Sequence, residues 1–191
     1  MQKKEDEVKP LLISPMYHNI NADKYSNDLE LFRKHLLYVK EHYDVILPSD
    51  NVTKKSICLT FDDAFYNFYI YVFPLLKELN IKALLAVPTK FILDDTQESQ
   101  KARLNIKHDD TYEQIDKAPF CTYKELKEMS DSGHVQMASH SHAHVDLSST
   151  ENLVYELSHS KALLEEKLNI VCNTLVFPFG KYNDEVLEEA Q

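Results

Sequence analysis

The chain has 191 residues, 43% hydrophobic and 27% charged, and 21 Lys+Arg against 31 Asp+Glu set a formal net charge of −10. With 2 glycines and no tryptophan, it cannot build the closely spaced glycine cradles that hold phosphates in P-loop and dinucleotide-binding folds. The acidic balance speaks against nucleic-acid or anionic-membrane partners, which need basic patches.

Residues 1–10 are mixed in charge and read as a solvated arm ahead of a single domain over 11–191. The apolar run that follows, Leu-Leu-Ile-Ser-Pro-Met, falls short of the ~7–15 apolar residues of a signal-peptide core. No run approaches the ~18 apolar residues of a membrane span. As written, the chain is expected to be soluble, and either cytoplasmic or an exported protein without its leader.

Residues 11–16 predict a short buried strand, ending at Tyr17-His18-Asn19. Asn27 with Glu30 has capping-box spacing. Leu29, Phe32, Leu36, Val39 and Tyr43 then form one apolar stripe at helical spacing. Strands are expected at 45–47, 56–61 and 82–87, with a helix over 65–79 that Pro74 delays or kinks. Thr122 with Glu125 is a capping box for a helix through Met129, which Gly133 stops. A strand at 134–138, a helix over about 151–168, a strand at 175–177 and a helix from near Asn183 still running at Gln191 complete the pattern. Strands alternating with helices imply an α/β fold with a parallel sheet or barrel. The polar stretch 94–119 breaks the rhythm and reads as an insertion that either caps a site or runs through solvent. Cys58, Cys121 and Cys172 lie far apart, form no Cys-x-x-Cys pair and read as buried free thiols.

Of three Asp-Asp pairs, Asp94-Asp95 and Asp109-Asp110 lie in that polar stretch, where solvation explains them. Asp62-Asp63 instead follows a buried apolar strand, a costly place for two carboxylates unless a cation sits there. His140, His142 and His144 also follow a strand directly. Imidazoles plus a carboxylate suit Zn²⁺ or a neighbouring divalent ion. In a bent segment, residues four apart converge while the one between points away. Asp63 with two of these histidines leaves open positions for water, and Asp62 is then placed to take that water's proton. Taken alone, the Asp pair also fits a strand-end cap of the next helix, and the histidines fit an exposed loop.

Thr60-Phe61-Asp62-Asp63-Ala64, Ser139-His140-Ser141-His142-Ala143-His144 and Phe177-Pro178-Phe179-Gly180, in that order, resemble the motifs of the NodB-like polysaccharide deacetylases, carbohydrate esterase family 4. The resemblance spans about residues 11–183. It implies a distorted, incomplete (β/α) barrel of the TIM-barrel-like kind, and metal-dependent removal of N-acetyl groups from an N-acetylglucosamine-containing polysaccharide. By matching position, Asp63, His140 and His144 would hold the metal, most naturally Zn²⁺, with Co²⁺ or Ni²⁺ as alternatives. Asp62 would be the general base. His142 falls on a variable position. Pro178, Phe179 and Gly180 would form a groove wall, with the Phe179 backbone N–H on the oxyanion.

Met16-Tyr17-His18-Asn19-Ile20 is similar to the N-terminal Tyr-His element of a permuted subgroup that includes poly-N-acetylglucosamine deacetylases, which makes His18 the candidate general acid. Three departures stand out. Ala64 replaces the glycine usual after the Asp pair, and Val176 stands where many members carry an arginine. The chain also ends inside its last expected helix, so either it is shortened at the C-terminus or the barrel closes differently. Two alternatives share the fold: a catalytically silent glycan-binding member, and a metallohydrolase of another acetyl ester or amide. Tyr17, Phe65 and Phe179 offer candidate sugar-stacking faces.

Overall fold

Alternating parallel strands and helices carry the chain through a computed structural model that describes residues 10–52 and 55–191. The expected arm, apart from Pro10, lies outside the described residues. The strands are β1 (Leu11–Ile13), β2 (Met16–Tyr17), β3 (Asn19–Ile20), β4 (Ser26–Asn27), β5 (Asp44–Val45), β6 (Lys55–Ile57), β7 (Thr60–Phe61), β8 (Ala83–Val87) and β9 (Val135–Ser139). Every ladder between them is parallel. The main sheet has the order β2-β7-β8-β9, and a smaller one the order β1-β6-β5.

The run expected as one buried strand at 11–16 is divided and exposed. Pro15 has no N–H to give, so the ladder lapses at Ser14-Pro15 and resumes in step, Ile13 opposite Ile57 and Met16 opposite Thr60. Thr60 bridges the gap, its N–H and hydroxyl both donating to the Pro15 carbonyl at 3.1 and 2.9 Å. β1 and β2 are edge strands, which leaves Leu11 and Leu12 each 49% exposed. At the other edge, the strand expected at 175–177 is reduced to one bridge from Leu175 to Ser139 before the chain turns away at Pro178. The sheet therefore runs from β1/β2 through β6/β7, β8 and β9 to Leu175 without closing into a full barrel among the described strands.

Helix α1 (Leu29–His42) buries Phe32, Leu36 and Val39 as its spacing predicts. Its cap is Asp28, not Asn27: the Asp28 carboxylate accepts from Leu31 N–H while Asn27 is held in β4. Pro74 delays the next helix: a π-helical turn over Phe68–Val72 precedes α2 (Phe73–Leu79), with the proline in its first turn. After α3 (Gln100–Leu104), helix α4 (Tyr123–Asp131) carries the complete Thr122/Glu125 capping box. Gly133 at φ +73 ends it in the left-handed conformation that glycine adopts without strain. Helix α5 (Leu153–Leu168) follows, and α6 (Asp184–Glu189) stops before Gln191. One apolar core joins α1, α2, α4 and α5 to the sheet through Phe61, Leu76, Leu85, Leu126 and Leu164. All three cysteines are buried and free.

Candidate metal centre

In parallel α/β folds the C-terminal ends of strands are the positions where side chains can converge without breaking ladder bonds. Two strands deliver residues there. β7 ends at Phe61 and releases Asp62-Asp63; β9 ends at Ser139 and releases His140. Between them lies β8, whose Val87 carbonyl accepts from His140 N–H at 3.1 Å.

Both releases run through strained turns. Asp63, Ala64, Ser141 and His144 all have positive φ, +69°, +53°, +58° and +52°. Such backbone persists where the surroundings over-determine it. At Ala64 the missing glycine is compensated by packing: the residue is fully buried, and its carbonyl accepts from Cys121 N–H at 2.8 Å. In the histidine turn the device is Glu156 of α5. Its carboxylate accepts from Ala143 N–H at 2.7 Å and its carbonyl from His142 N–H at 3.0 Å.

These turns bring Asp63, His140 and His144 together, with one ligand atom from each within 4.8 Å of the others. Asp63 Oδ1 lies 3.2 Å from His144 Nε2 and 3.8 Å from His140 Nε2. The His140 ring is aimed by its other nitrogen, Nδ1, which is 2.8 Å from the Val176 carbonyl. Donation there leaves the Nε2 lone pair facing Asp63, the tautomer a metal ligand requires. Val176 thus serves through its backbone, while its side chain packs on Cys58, Leu84 and Ala138. His142 faces away, with Nδ1 3.0 Å from the Thr89 hydroxyl and its ring against His159.

Electrostatics marks the same spot. Burial, reinforced by the second carboxylate, pushes Asp62 up to about 7. Burial lifts Asp63 to about 6 against the opposing Tyr112 hydrogen bond. Burial, then the neighbouring histidines, pushes His140 down to about 3 and His144 to about 4. The histidines are therefore neutral, and their contacts with Asp63 are not ion pairs. At His140 an imidazole lone pair faces the Asp63 carboxylate, Asp62 Oδ1 is buried without a hydrogen-bond partner, and the described lining holds no Lys or Arg. This nitrogen-and-oxygen donor set fits a divalent cation, which would relieve all of these groups together.

The centre lies in an open groove of about 860 Å³. His18, between β2 and β3, lines it, with Tyr25 5.8 Å away ring to ring. Burial and nearby His108 lower the His18 pKa. Phe179, at φ +59 and 65% exposed, sets its ring 4.8 Å from that of His144. Gly180 lines the same wall, and Pro178 is buried beneath the turn. Two of the candidate stacking faces are spent elsewhere. Phe65 is 3% exposed and stacked on Phe120, and Tyr17 is stacked on Phe61 with its hydroxyl on His35.

Residues of the polar stretch also reach the groove, which no motif indicated. Tyr112 and His108 line it, and the Tyr112 hydroxyl donates to Asp63 Oδ1 at 3.2 Å. The signal available in the sequence was the length of the stretch, together with one tyrosine, Tyr112, among its charges.

A family model described as polysaccharide deacetylase matches residues 49–191. The chain belongs to the polysaccharide deacetylase family. Among its relatives, the YxkH protein of Bacillus subtilis is 25% identical over 218 aligned positions, covering 100% of this chain and 67% of that protein. The poly-β-1,6-N-acetyl-D-glucosamine N-deacetylase of Escherichia coli K12 is 26% identical over 165 positions, 71% of this chain but only 23% of that enzyme. The Streptococcus pyogenes deacetylase PplD, solved with acetate, superposes with a TM-score of 0.75 at 25% identity, covering 95% of this chain and 80% of that one. The expected deacetylase-type α/β fold is thus the observed one. No helix of the described residues is long and apolar enough to cross a membrane.

Proposed function

We propose that this deacetylase is a metal-dependent hydrolase that removes N-acetyl groups from a polysaccharide containing N-acetylglucosamine, with Zn²⁺ as the ion. The observation that carries the reading is the convergence of Asp63, His140 and His144 on the groove, beside a second buried carboxylate with an unpartnered oxygen. The name of the Escherichia coli relative supports the substrate class.

In this reading Asp63, His140 and His144 hold the ion, which supplies Lewis-acid polarisation of the acetamide carbonyl and acidifies water. Asp62 accepts a proton from the attacking water at its buried, unpartnered oxygen. The Phe179 backbone N–H donates to the developing oxyanion. As the C–N bond breaks, the amine leaves with a proton, and His18, lining the groove between β2 and β3, is the group assigned to give it. The exposed rings of Tyr25 and Phe179 offer flat apolar faces for sugar rings at the groove mouth.

The test is acetate release from N-acetylglucosamine oligomers, with chelator and then with Zn²⁺ or Co²⁺. Metal-dependent release, lost in Asp63→Ala, is expected. In His18→Ala, amide turnover should fall far more than turnover of an activated acetyl ester, whose leaving group needs no proton. Sugar binding without any acetate release would instead make the chain a glycan-binding member, and turnover confined to esters would make it an esterase.

A further inference from the structure

Tyr112 enters the centre from the polar stretch 94–119, not from any strand end. Its hydroxyl donates to Asp63 Oδ1 at 3.2 Å. Its ring stacks beside the His144 imidazole, centroids 5.9 Å apart and planes 24° apart. One side chain therefore touches two of the three candidate ligands.

The ring is held on its other sides. Phe91 meets it edge-on at 4.7 Å and Phe120 at 5.3 Å. The stretch behind it is anchored as well. Arg103, 4% exposed, forks onto the Glu125 carboxylate at 2.6 and 2.8 Å and donates to the carbonyls of Ala118 and Phe120. Its guanidinium lies 3.3 Å from the Tyr66 ring centroid. A residue so locked has little freedom to lose when it holds a neighbour in place.

We propose that Tyr112 is a positioning residue of the metal centre, fixing the Asp63 carboxylate and the His144 ring, and that the 94–119 stretch is a built wall of the site. The inference rests on the metal reading above. A carboxylate oxygen has lone pairs enough to accept the tyrosine hydroxyl and still face an ion. Without that hydroxyl, Asp63 is freer to turn about its side-chain bonds, and the ion must order it on binding. Partners of this outer kind typically alter metal affinity by about 10–100-fold.

Tyr112→Phe tests this in the full chain, because it keeps the ring and its packing and removes only the donor. Co²⁺ uptake is followed by visible absorption, Zn²⁺ affinity by competition with a chromophoric chelator, and metal-free stability by thermal unfolding. The expected result is a roughly 10–100-fold weaker Kd with an altered Co²⁺ spectrum, while the metal-free midpoint falls by no more than the loss of one buried hydrogen bond accounts for. Wild-type affinity and an unchanged spectrum in Tyr112→Phe would overturn the inference. A wild-type chain that takes up neither ion would overturn the metal reading, and this inference with it. Should Tyr112→Phe unfold early, the Co²⁺ spectrum at low temperature still decides the point.

Discussion

Asp62 occupies a position that ordinary packing would not give a carboxylate. It is 4% exposed, one oxygen has no donor, and the next residue is a second buried acid. The cost of charging it there appears as a pKa raised from 3.8 to about 7, by burial first and then by Asp63. A group whose folded-state pKa lies above its unfolded value stabilises the fold fully below the unfolded pKa and loses that contribution as pH rises through the folded one. For Asp62 the window runs from about 4 to 7. Asp62→Asn removes this titration and leaves His140 and His144 in place. In chelator, the variant should gain stability relative to wild type as pH rises through that window. The gap is at most ~4 kcal/mol at about 1.4 kcal/mol per pKa unit. Urea denaturation at several pH values measures it. A difference that stays flat with pH would mean that some other group already compensates the charge. Ala64, the neighbour that lacks the usual glycine, carries its left-handed φ at a typical cost of about 1–2 kcal/mol, which its buried packing offsets.

The element that departs most from its appearance in the sequence is the stretch 94–119. Its composition is that of a solvated excursion, and much of it is: Asp94, Asp95 and Asp109 pair with Lys167, Lys124 and Lys24 at the surface. Such pairs contribute about 0–1 kcal/mol each. Arg103 is different in kind, because it is buried and forks onto the half-buried Glu125, the residue that also closes the α4 capping box. Composition cannot separate the two cases, since a buried arginine is spelled like an exposed one. Periodicity works where an apolar stripe repeats, which is why α1 and α5 were legible while α4 was marked by its capping box, and this stretch has no such stripe. Arg103→Ala would leave Glu125 without its partner and free the Ala118 and Phe120 carbonyls. Removing one member of a buried pair typically costs about 3–5 kcal/mol. Chemical denaturation should show a loss of that size, whereas Lys124→Ala should cost under about 1 kcal/mol. Equal small losses in both variants would mean that the stretch is held by its surface alone.

At the scale of the whole molecule, the site is a set of strand ends that only the folded sheet brings together. The candidate residues Asp62, Asp63, His140 and His144 were legible because they belong to two short motifs, at 62–63 and 140–144, that begin where buried strands end, and the alternation of elements puts those ends on one side. Tyr112 and His108 were not, because their placement depends on an anchored loop whose path no local pattern encodes. The divided edge at Pro15 shows the same limit: an apolar run predicts a strand, but not that one missing N–H interrupts its ladder. The same geometry ties metal to stability. Asp63 and the two histidines are far apart in sequence and lie across β8 from each other, so the unfolded chain offers no comparable site. A ligand that binds only the folded state stabilises it by about 2.7 kcal/mol at a hundredfold excess over its Kd. At about 2–4 °C per kcal/mol for a chain of this size, the expected rise in Tm is roughly 5–11 °C. Scanning calorimetry of the chelated chain, with and without Zn²⁺, should show this rise, and Asp63→Ala and His140→Ala should abolish it. A rise that survived in both variants would place the ion elsewhere on the molecule.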